Sequence, residues 1–589
     1  MRNAKIVCTL GPASSTAETI EDLVDAGMAV ARVNASHGDR ESIAALLETV
    51  REVDDRTETP IATVLDLQGP EIRTGTVQSP VHLDDGASVT FLPGATATDE
   101  EIGLSRSIDG VVPGDRILID DGRISCRVTA VDGATVTARI EAGGTLGSRK
   151  GVNVPGVDLD LPMVTGKDRE DLSIVADGIV DFVAASFVRD ADDVLDVNAA
   201  IESFDADVPI IAKIERADAV DNLDGIVEAA YGVMVARGDL GVECPMEDVP
   251  MIQKRIIRAC RTVGVPVITA TEMLDSMVDS VRPTRAEASD VANAVLDGTD
   301  AVMLSAETAI GNHPTLVVET MARIIREVEN SEEYAELREQ RIPPSSSTRM
   351  DAIARSGRFL ARDVRASAIV AVSESGYTAL KTAMYRPSVP VLVATIDRSV
   401  QRRLSISWGL HPEVASPESE TVTDVIDDAI ATVLDEGIAA SGETVVLITG
   451  MMHRIDGAGF TNTLKIHLAA ESIASGRVVV PGCVTGDLVR STDLTDGDLP
   501  SEAVLYLPPD AEYEFDGNSD RIAGIVAAEE GLTSYPAMIA RELSIPMIGG
   551  AVVPAGIAVN TRVTLDAERG VLYHGDIQTP DLLSNRPDQ

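Results

Sequence analysis

No stretch of the 589 residues is apolar for long enough to cross a bilayer, and the N-terminus lacks the charged head and hydrophobic core of a signal peptide. A cytoplasmic protein is expected. Cysteine is sparse: Cys8, Cys126, Cys244, Cys260 and Cys483 are scattered and odd in number, with no C-x-x-C pair. That pattern argues against zinc or redox work and leaves packing in a reducing compartment. Lysine is scarcer than the basic total suggests, occurring only at Lys5, Lys150, Lys167, Lys213, Lys254, Lys381 and Lys465. Against 49 basic residues stand 95 acidic ones, a formal net charge of −46. Such a field repels nucleic acid and anionic membranes, so neither is expected as a partner. Dense carboxylate charge is tolerable where salt shortens the Debye length to roughly 3 Å at 1 M. The composition therefore predicts a chain adapted to a salt-rich cytoplasm.

What is present reads as globular, at 44% hydrophobic and 24% charged, and the length exceeds one core. The organising stretch is Val208 to Glu243. Two apolar runs, Pro209–Ala212 and Val233–Ala236, end abruptly in Lys213 and Glu215, and in Arg237, Gly238 and Asp239. Between them Ala217–Ala230 carries apolar residues at helical spacing. This is a strand, helix, strand unit with polar groups at the strand ends, as on the rim of a parallel α/β structure. The same pattern recurs at Ile6–Leu10, Met28–Val33, Ile61–Leu65, Ile179–Ala185, Val265–Ile268 and Ala301–Leu304. Eight such runs predict a closed (β/α)8 barrel over residues 1–69 and 164–340.

Residues 70–163 change texture. Arg116–Ile119, Arg123–Ala130 and Thr135–Ile140 alternate and are punctuated by Asp-Gly turns, which predicts a small β-barrel lid domain inserted after the third strand. Past the linker IPPSSST, the strands Ala368–Val372, Val389–Ala394 and Thr444–Thr449 alternate with helices and predict an open α/β domain over 341–475. Residues 476–589 are Gly-rich and β-heavy, a further small α/β domain.

The rim gathers Arg32, Arg73 and Lys213 with Asp66, Glu215 and Asp239. Carboxylates, alcohols and carbonyls without a His/Cys cluster favour a hard cation such as Mg²⁺ or K⁺. Cations beside such a site suit phosphate oxygens, so the bare residues point to phosphoryl transfer or to enolate chemistry on a small anion. Each feature alone has a plain structural explanation. Lys-x-Glu can be an ion pair, Arg-Gly-Asp a turn, Asp66 a cap, and His37 before Gly38 a turn residue. Their convergence at one end of one barrel is what carries the reading.

The segments AKIVCTLGPAS, ARVNASHG, LDLQGPEIRTG, RKGVNVPGVDLDLP, AKIER, GVMVARGDLGVE, TATEMLDSM and RPTRAEASDVANAVLDGTDAVMLSAETAIG resemble the pyruvate kinase family, in order, from Ala4 to Gly311. SESGYTALKTAMYRP and GAGFTNTLKIH extend the resemblance to about Ser475. It implies transfer of the phosphoryl group of phosphoenolpyruvate to ADP in glycolysis, giving pyruvate and ATP, by a homotetramer. It also implies that Glu215 and Asp239 hold Mg²⁺ (or Mn²⁺), and that Lys213 stabilises charge on the phosphoryl group and the enolate oxygen. Gly238, Asp239 and Thr271 would hold the substrate carboxylate, and Arg32 and Arg73 would neutralise the phosphoryl group. Asn34, Ala35, Ser36, His37, Arg73 and Lys150 would face the nucleotide. Asn34, Ser36, Asp66 and the Leu67 carbonyl resemble the K⁺ site; Glu71 matches potassium-dependent members, although Leu67-Gln68 replaces their usual Thr-Lys.

The Ser373–Thr378 loop resembles the effector phosphate loop, but Glu374 there disfavours a doubly phosphorylated sugar. The tail resembles the swivelling phosphohistidine domain of phosphoenolpyruvate-utilising enzymes. Its motif wants Thr-Ser-His, and this chain has Thr533, Ser534, Tyr535, so a structural or assembly role is expected. Two other readings compete with the kinase: a Mg²⁺-dependent pyruvate-enolate lyase or aldolase, and a non-catalytic phosphoenolpyruvate sensor. A lyase has no nucleotide for a lid to cover, and a sensor has no need of Lys213, Glu215, Asp239 and Thr271 together.

Overall fold

Eight short apolar runs, each buried along its length, give eight parallel strands: β1 (Lys5–Leu10), β2 (Val30–Asn34), β3 (Ala62–Asp66), β4 (Phe182–Ala185), β5 (Ile210–Ile214), β6 (Gly232–Ala236), β7 (Val267–Ala270) and β8 (Ala301–Leu304). They follow one another around a closed barrel in which β1 pairs with both β2 and β8. This is the barrel expected from the sequence, strand for strand. The computed structural model describes residues 2–157, 159–344, 348–416, 421–450, 463–491, 499–509 and 520–577; part of GAGFTNTLKIH lies outside them.

Alternation along each strand decides what reaches the mouth. Val7, Val30, Val64, Ile211, Met234 and Ile268 form one apolar cluster, and two residues further on the same faces carry Thr9, Arg32, Asp66, Lys213, Ala236 and Ala270. A period of two thus turns an apolar interior into a polar rim at the C-terminal ends. The opposite strand faces pack on the helices, with Ile6, Cys8, Val302 and Leu304 in one cluster and Val33, Leu65, Val183 and Ala212 in another. Capping fixes where the helices begin. Thr284 and Glu287 form a reciprocal capping box at the start of Arg285–Asp297, and Glu287 also accepts from Ser276 N–H at 2.7 Å. The segment Ala217–Ala230, expected as one helix, is two, Ala217–Asp221 and Leu223–Ala229; Asn222 between them leaves helical backbone geometry.

Residues 70–163 form a seven-stranded sheet running from Ile72–Arg73 at one edge to Glu101–Leu104 at the other. A Thr74↔Leu104 bridge joins the two edges, and Gly75 N–H donates to Gly103 O at 2.7 Å. A Cβ on Gly103 would sit 2.5 Å from Thr96 O, so only glycine permits that approach. The chain forms two compact units, one of Met1–Ala352, Ser375–Arg386 and Asp397–Pro412, the other of Ile353–Glu374, Pro387–Ile396 and Glu413–Gln589. In the second unit Ala368–Val372 pairs in parallel with Val391–Thr395 and Thr444–Thr449. A further eight-stranded sheet begins at Ser472–Ser475, which pairs with Val571–His574. Cys8, Cys126 and Cys260 are buried as expected, whereas Cys483 is exposed. Among the described residues no helix is long and apolar enough to cross a membrane.

Candidate active site

At the C-terminal ends of the strands lies a cavity of about 850 Å³, bordered among others by Arg32, Asn34, Lys213, Glu215, Asp239 and Thr271. At its base the Lys213 ammonium donates to Ser186 Oγ at 2.6 Å and lies 2.8 Å from Glu215 Oε1 and 3.4 Å from Asp66 Oδ1. Its side chain is 12% exposed. Burial works against its charge, yet Asp66 and Glu215 outweigh it and hold the group above the ordinary lysine range. Burial likewise opposes ionisation of Asp66, but Lys213 and Arg32 bring that carboxyl below its usual range. Arg32 donates from Nε to Asp66 Oδ2 at 2.6 Å and from Nη1 to Thr9 Oγ1 at 2.8 Å.

Two residues here sit in a backbone region that bulky side chains avoid: Phe187 at φ +61° and Thr271 at φ +67°. Such conformations persist where surrounding contacts over-determine them, and they cluster at active sites. Phe187 N–H donates to Glu215 Oε2 at 2.7 Å. Thr271 Oγ1 accepts from Gly238 N–H and donates to Ala270 O, both at 2.8 Å. Arg237 clasps the same turn, donating to Thr271 O at 2.7 Å and Ala270 O at 3.1 Å while pairing with Asp290 at 2.6 Å.

Glu215 and Asp239 form the acidic corner. No donor reaches the Asp239 carboxylate among the described residues, and burial followed by repulsion from Glu215 pushes it up to about 7. An oxygen pair left short of positive charge fits a hard divalent cation. Among the described residues no third His, Cys, Asp or Glu joins them. The residues expected to hold K⁺ are brought together by register: Asn34 pairs with Asp66 across β2 and β3, and Ala35 N–H donates to Asp66 O at 2.9 Å. Asn34 Oδ1 accepts from Ser36 N–H at 3.1 Å, and Leu67 O accepts from Ser186 Oγ at 2.8 Å. This all-oxygen donor set suits K⁺.

His37 also borders the cavity. Arg73 and Lys150 do not; they lie in the inserted domain, Arg73 paired with Glu71 at 2.7 Å and Lys150 with Asp120 at 2.8 Å. Sequence reasoning assigned no role to Ser186, Arg237, Glu307 or Lys167. Glu307 is buried and accepts from Leu274 N–H at 3.0 Å and Ser305 N–H at 2.6 Å, joining the loops after β7 and β8. Lys167 donates to Ala35 O at 2.8 Å. The available signal for Ser186 and Arg237 was their place directly at strand ends.

An eight-stranded barrel with an inserted β domain and a mouth of one buried ammonium, Arg32 and paired carboxylates fits the phosphotransferase class of enzyme. Residues 1–318 match the family model "Pyruvate kinase, barrel domain", 351–467 match "Pyruvate kinase, alpha/beta domain", and 504–570 match "PEP-utilising enzyme, mobile domain". The pyruvate kinase of Geobacillus stearothermophilus is 40% identical over 584 residues, covering 98% of this chain and 99% of that one. That of Bacillus licheniformis is 39% identical over 589 residues, with the same shares covered. The crystal structure of a pyruvate kinase from Cryptosporidium parvum superposes with a TM-score of 0.74 at 36% identity, covering 80% of this chain and 96% of that chain. The chain belongs to the pyruvate kinase family, whose members bind phosphoenolpyruvate and ADP and generally use a divalent metal and potassium. Its reaction is transfer of the phosphoryl group of phosphoenolpyruvate to ADP, in glycolysis.

Proposed function

We propose that Lys213 is the catalytic centre of this reaction. The observation that carries the reading is its ammonium at the base of the cavity, held on three sides by Ser186, Glu215 and Asp66. A fixed charge in a site screened from water stabilises developing negative charge without reorganising solvent. As the bond from phosphorus to the enol oxygen breaks and one to an ADP oxygen forms, that charge lies on the phosphoryl oxygens and then on the enolate oxygen. A proton delivered to the enolate methylene completes pyruvate. Thr271 would orient the water that supplies it, since its hydroxyl is already fixed between Gly238 N–H and Ala270 O.

Glu215 and Asp239 would hold Mg²⁺ or Mn²⁺, which when bound supplies charge neutralisation to the substrate oxygens. The Gly238 and Asp239 amides, with Thr271, would hold the substrate carboxylate. Arg32 would face the phosphoryl group, and Arg73 would join it from the lid. Asn34 to His37 and Lys150 would face the nucleotide. K⁺ would be held by Asn34, Ser36, Asp66 and the Leu67 carbonyl.

Composition and family also support a homotetramer in a salt-rich cytoplasm, where counterions screen the charge of −46. The tail keeps the mobile-domain pattern, but Tyr535 opens its helix Tyr535–Leu543 where the family motif has histidine, and we assign it to assembly.

The test is pyruvate formation from phosphoenolpyruvate and ADP with Mg²⁺ at low ionic strength, in high KCl and in matched NaCl. Turnover well above the NaCl level in KCl is expected. Equal turnover in both salts would remove the K⁺ assignment, and turnover unaffected by Lys213→Met would remove that of the lysine.

A further inference from the structure

At the N-terminal end of the barrel, away from the mouth, four arginines meet with too little negative charge between them. Arg261 ends the helix Val249–Val263, Arg386 follows the helix Tyr377–Met384, and Arg338 and Arg341 lie at the end of Glu332–Gln340. Arg386 is 4% exposed and Arg261 9%. Their fixed contacts are mostly carbonyls: Arg386 Nη2 donates to Gly298 O at 2.9 Å, Arg261 Nη2 to Arg341 O at 3.1 Å, and Arg341 Nη1 to Leu296 O at 3.0 Å. The guanidinium of Arg386 also stacks 4.7 Å from the Trp408 ring centroid.

One carboxylate, Asp300, lies in the cluster, 3.1 Å from Arg386 Nη1, and it also accepts from Trp408 N–H and Val267 N–H at 3.0 Å each. Arg341 is exposed to solvent and Arg338 half-buried, so the deficit falls on Arg261 and Arg386, two buried cations that share this one carboxylate. The Nε atoms of Arg261, Arg338 and Arg386 are buried and have no hydrogen-bond partner among the described residues. Burial, then Arg386, pull the Arg261 guanidinium down to about 10. In a chain with nearly twice as many acidic as basic residues, uncompensated buried cations call for a partner.

The space beside them decides which. Two cavities border the cluster, one of about 10 Å³ touching Arg261 and Arg386, the other of about 20 Å³ touching Arg261, Arg338, Arg341 and Arg386. Each holds about one water-sized body. Phosphate or a carboxylate, the usual guests of an arginine fork, needs more room. A water would fit but leave the charge unbalanced. We propose that this cluster is a binding site for a small monovalent anion, a halide such as chloride. The anion would tie Arg261 and Arg386 to the segments entering β7 and β8, at the barrel end that governs stability rather than chemistry.

Crystals of the full chain grown in potassium bromide should show an anomalous difference peak between Arg261 and Arg386; a site holding only water there overturns the proposal. In solution, the thermal midpoint of the full chain should rise saturably with potassium chloride or bromide replacing potassium methanesulfonate at constant ionic strength. Arg261→Asn should abolish that halide-specific rise and leave turnover of phosphoenolpyruvate and ADP unchanged. Identical midpoints in halide and methanesulfonate overturn the site. If Arg261→Asn does not fold, the bromide and midpoint measurements on the unaltered chain decide.

Discussion

The Gly238 amide donates to the Thr271 hydroxyl at 2.8 Å, tying the turn after β6 to a threonine held at φ +67° after β7. Two strand ends thereby share one hydrogen bond in front of the acidic corner, and Arg237 locks the pair from behind through the Ala270 and Thr271 carbonyls.

That clasp requires the planar fork of arginine. Arg237→Lys should lower kcat by roughly 10- to 100-fold, the equivalent of about 1.5 to 3 kcal/mol for lost charged hydrogen bonds. The thermal midpoint should change little. Steady-state kinetics beside a melting curve separate the two, and an unchanged kcat would show that Thr271 is held by other contacts.

Lys213→Met keeps an unbranched side chain, one atom shorter, and removes the charge. Turnover should fall by about 10³-fold or more, as when a preorganised electrostatic group is lost. Phosphoenolpyruvate binding, followed by calorimetry, should survive, because Arg32 and the Gly238 turn remain.

His411 sets an acid limit on stability. Burial, then the neighbouring Lys5, lower its folded pKa from 6.5 to about 3, and its Nε2 is buried without a partner among the described residues. The folded state holds the ring neutral while the unfolded chain takes up a proton below pH 6.5, so stability present above that pH is lost as pH falls toward 3. His411→Leu should flatten the fall of the melting midpoint between pH 6.5 and 4. Equal slopes in the two chains would assign the acid loss to other groups.

Because Ser472–Ser475 pairs with Val571–His574, a cut intended to remove the last domain belongs after Ala470. Leu468 and Ala470 pack on Tyr573 and Ile577, so the shortened chain exposes an apolar patch. It should retain turnover per site and lose assembly or salt tolerance, as read by light scattering across a KCl series. Loss of turnover by a well-folded oligomer would instead give the tail a part in the chemistry.

All eight barrel strands were legible in the sequence because a strand buried on both faces must be a short apolar run, and its end is marked where charge begins. The gathering of Lys213, Glu215, Asp239 and Arg32 at the strand ends was legible for the same reason. Thr271 was named through the resemblance alone, since a threonine carries no sign of the backbone strain it will bear. Ser186 and Arg237 act by holding other groups, and hydrogen bonds between different strand ends leave no spacing to read. Asn222 broke a helix whose apolar periodicity ran straight through it, because the pattern reports which face is buried and not whether the backbone bonds continue.

The β domain of residues 70–163 leaves the barrel after β3 and returns before β4, two strands that are themselves paired. The barrel therefore meets this passenger as one lengthened connection, and each doubling of such a loop adds only about 0.6 kcal/mol of closure entropy. Every neighbour relation among the eight strands is the same with or without it. The domain is thus a topological graft: its size, and its surface away from Arg73 and Lys150, can change while the strand pairing that positions Lys213 and Glu215 stays in register.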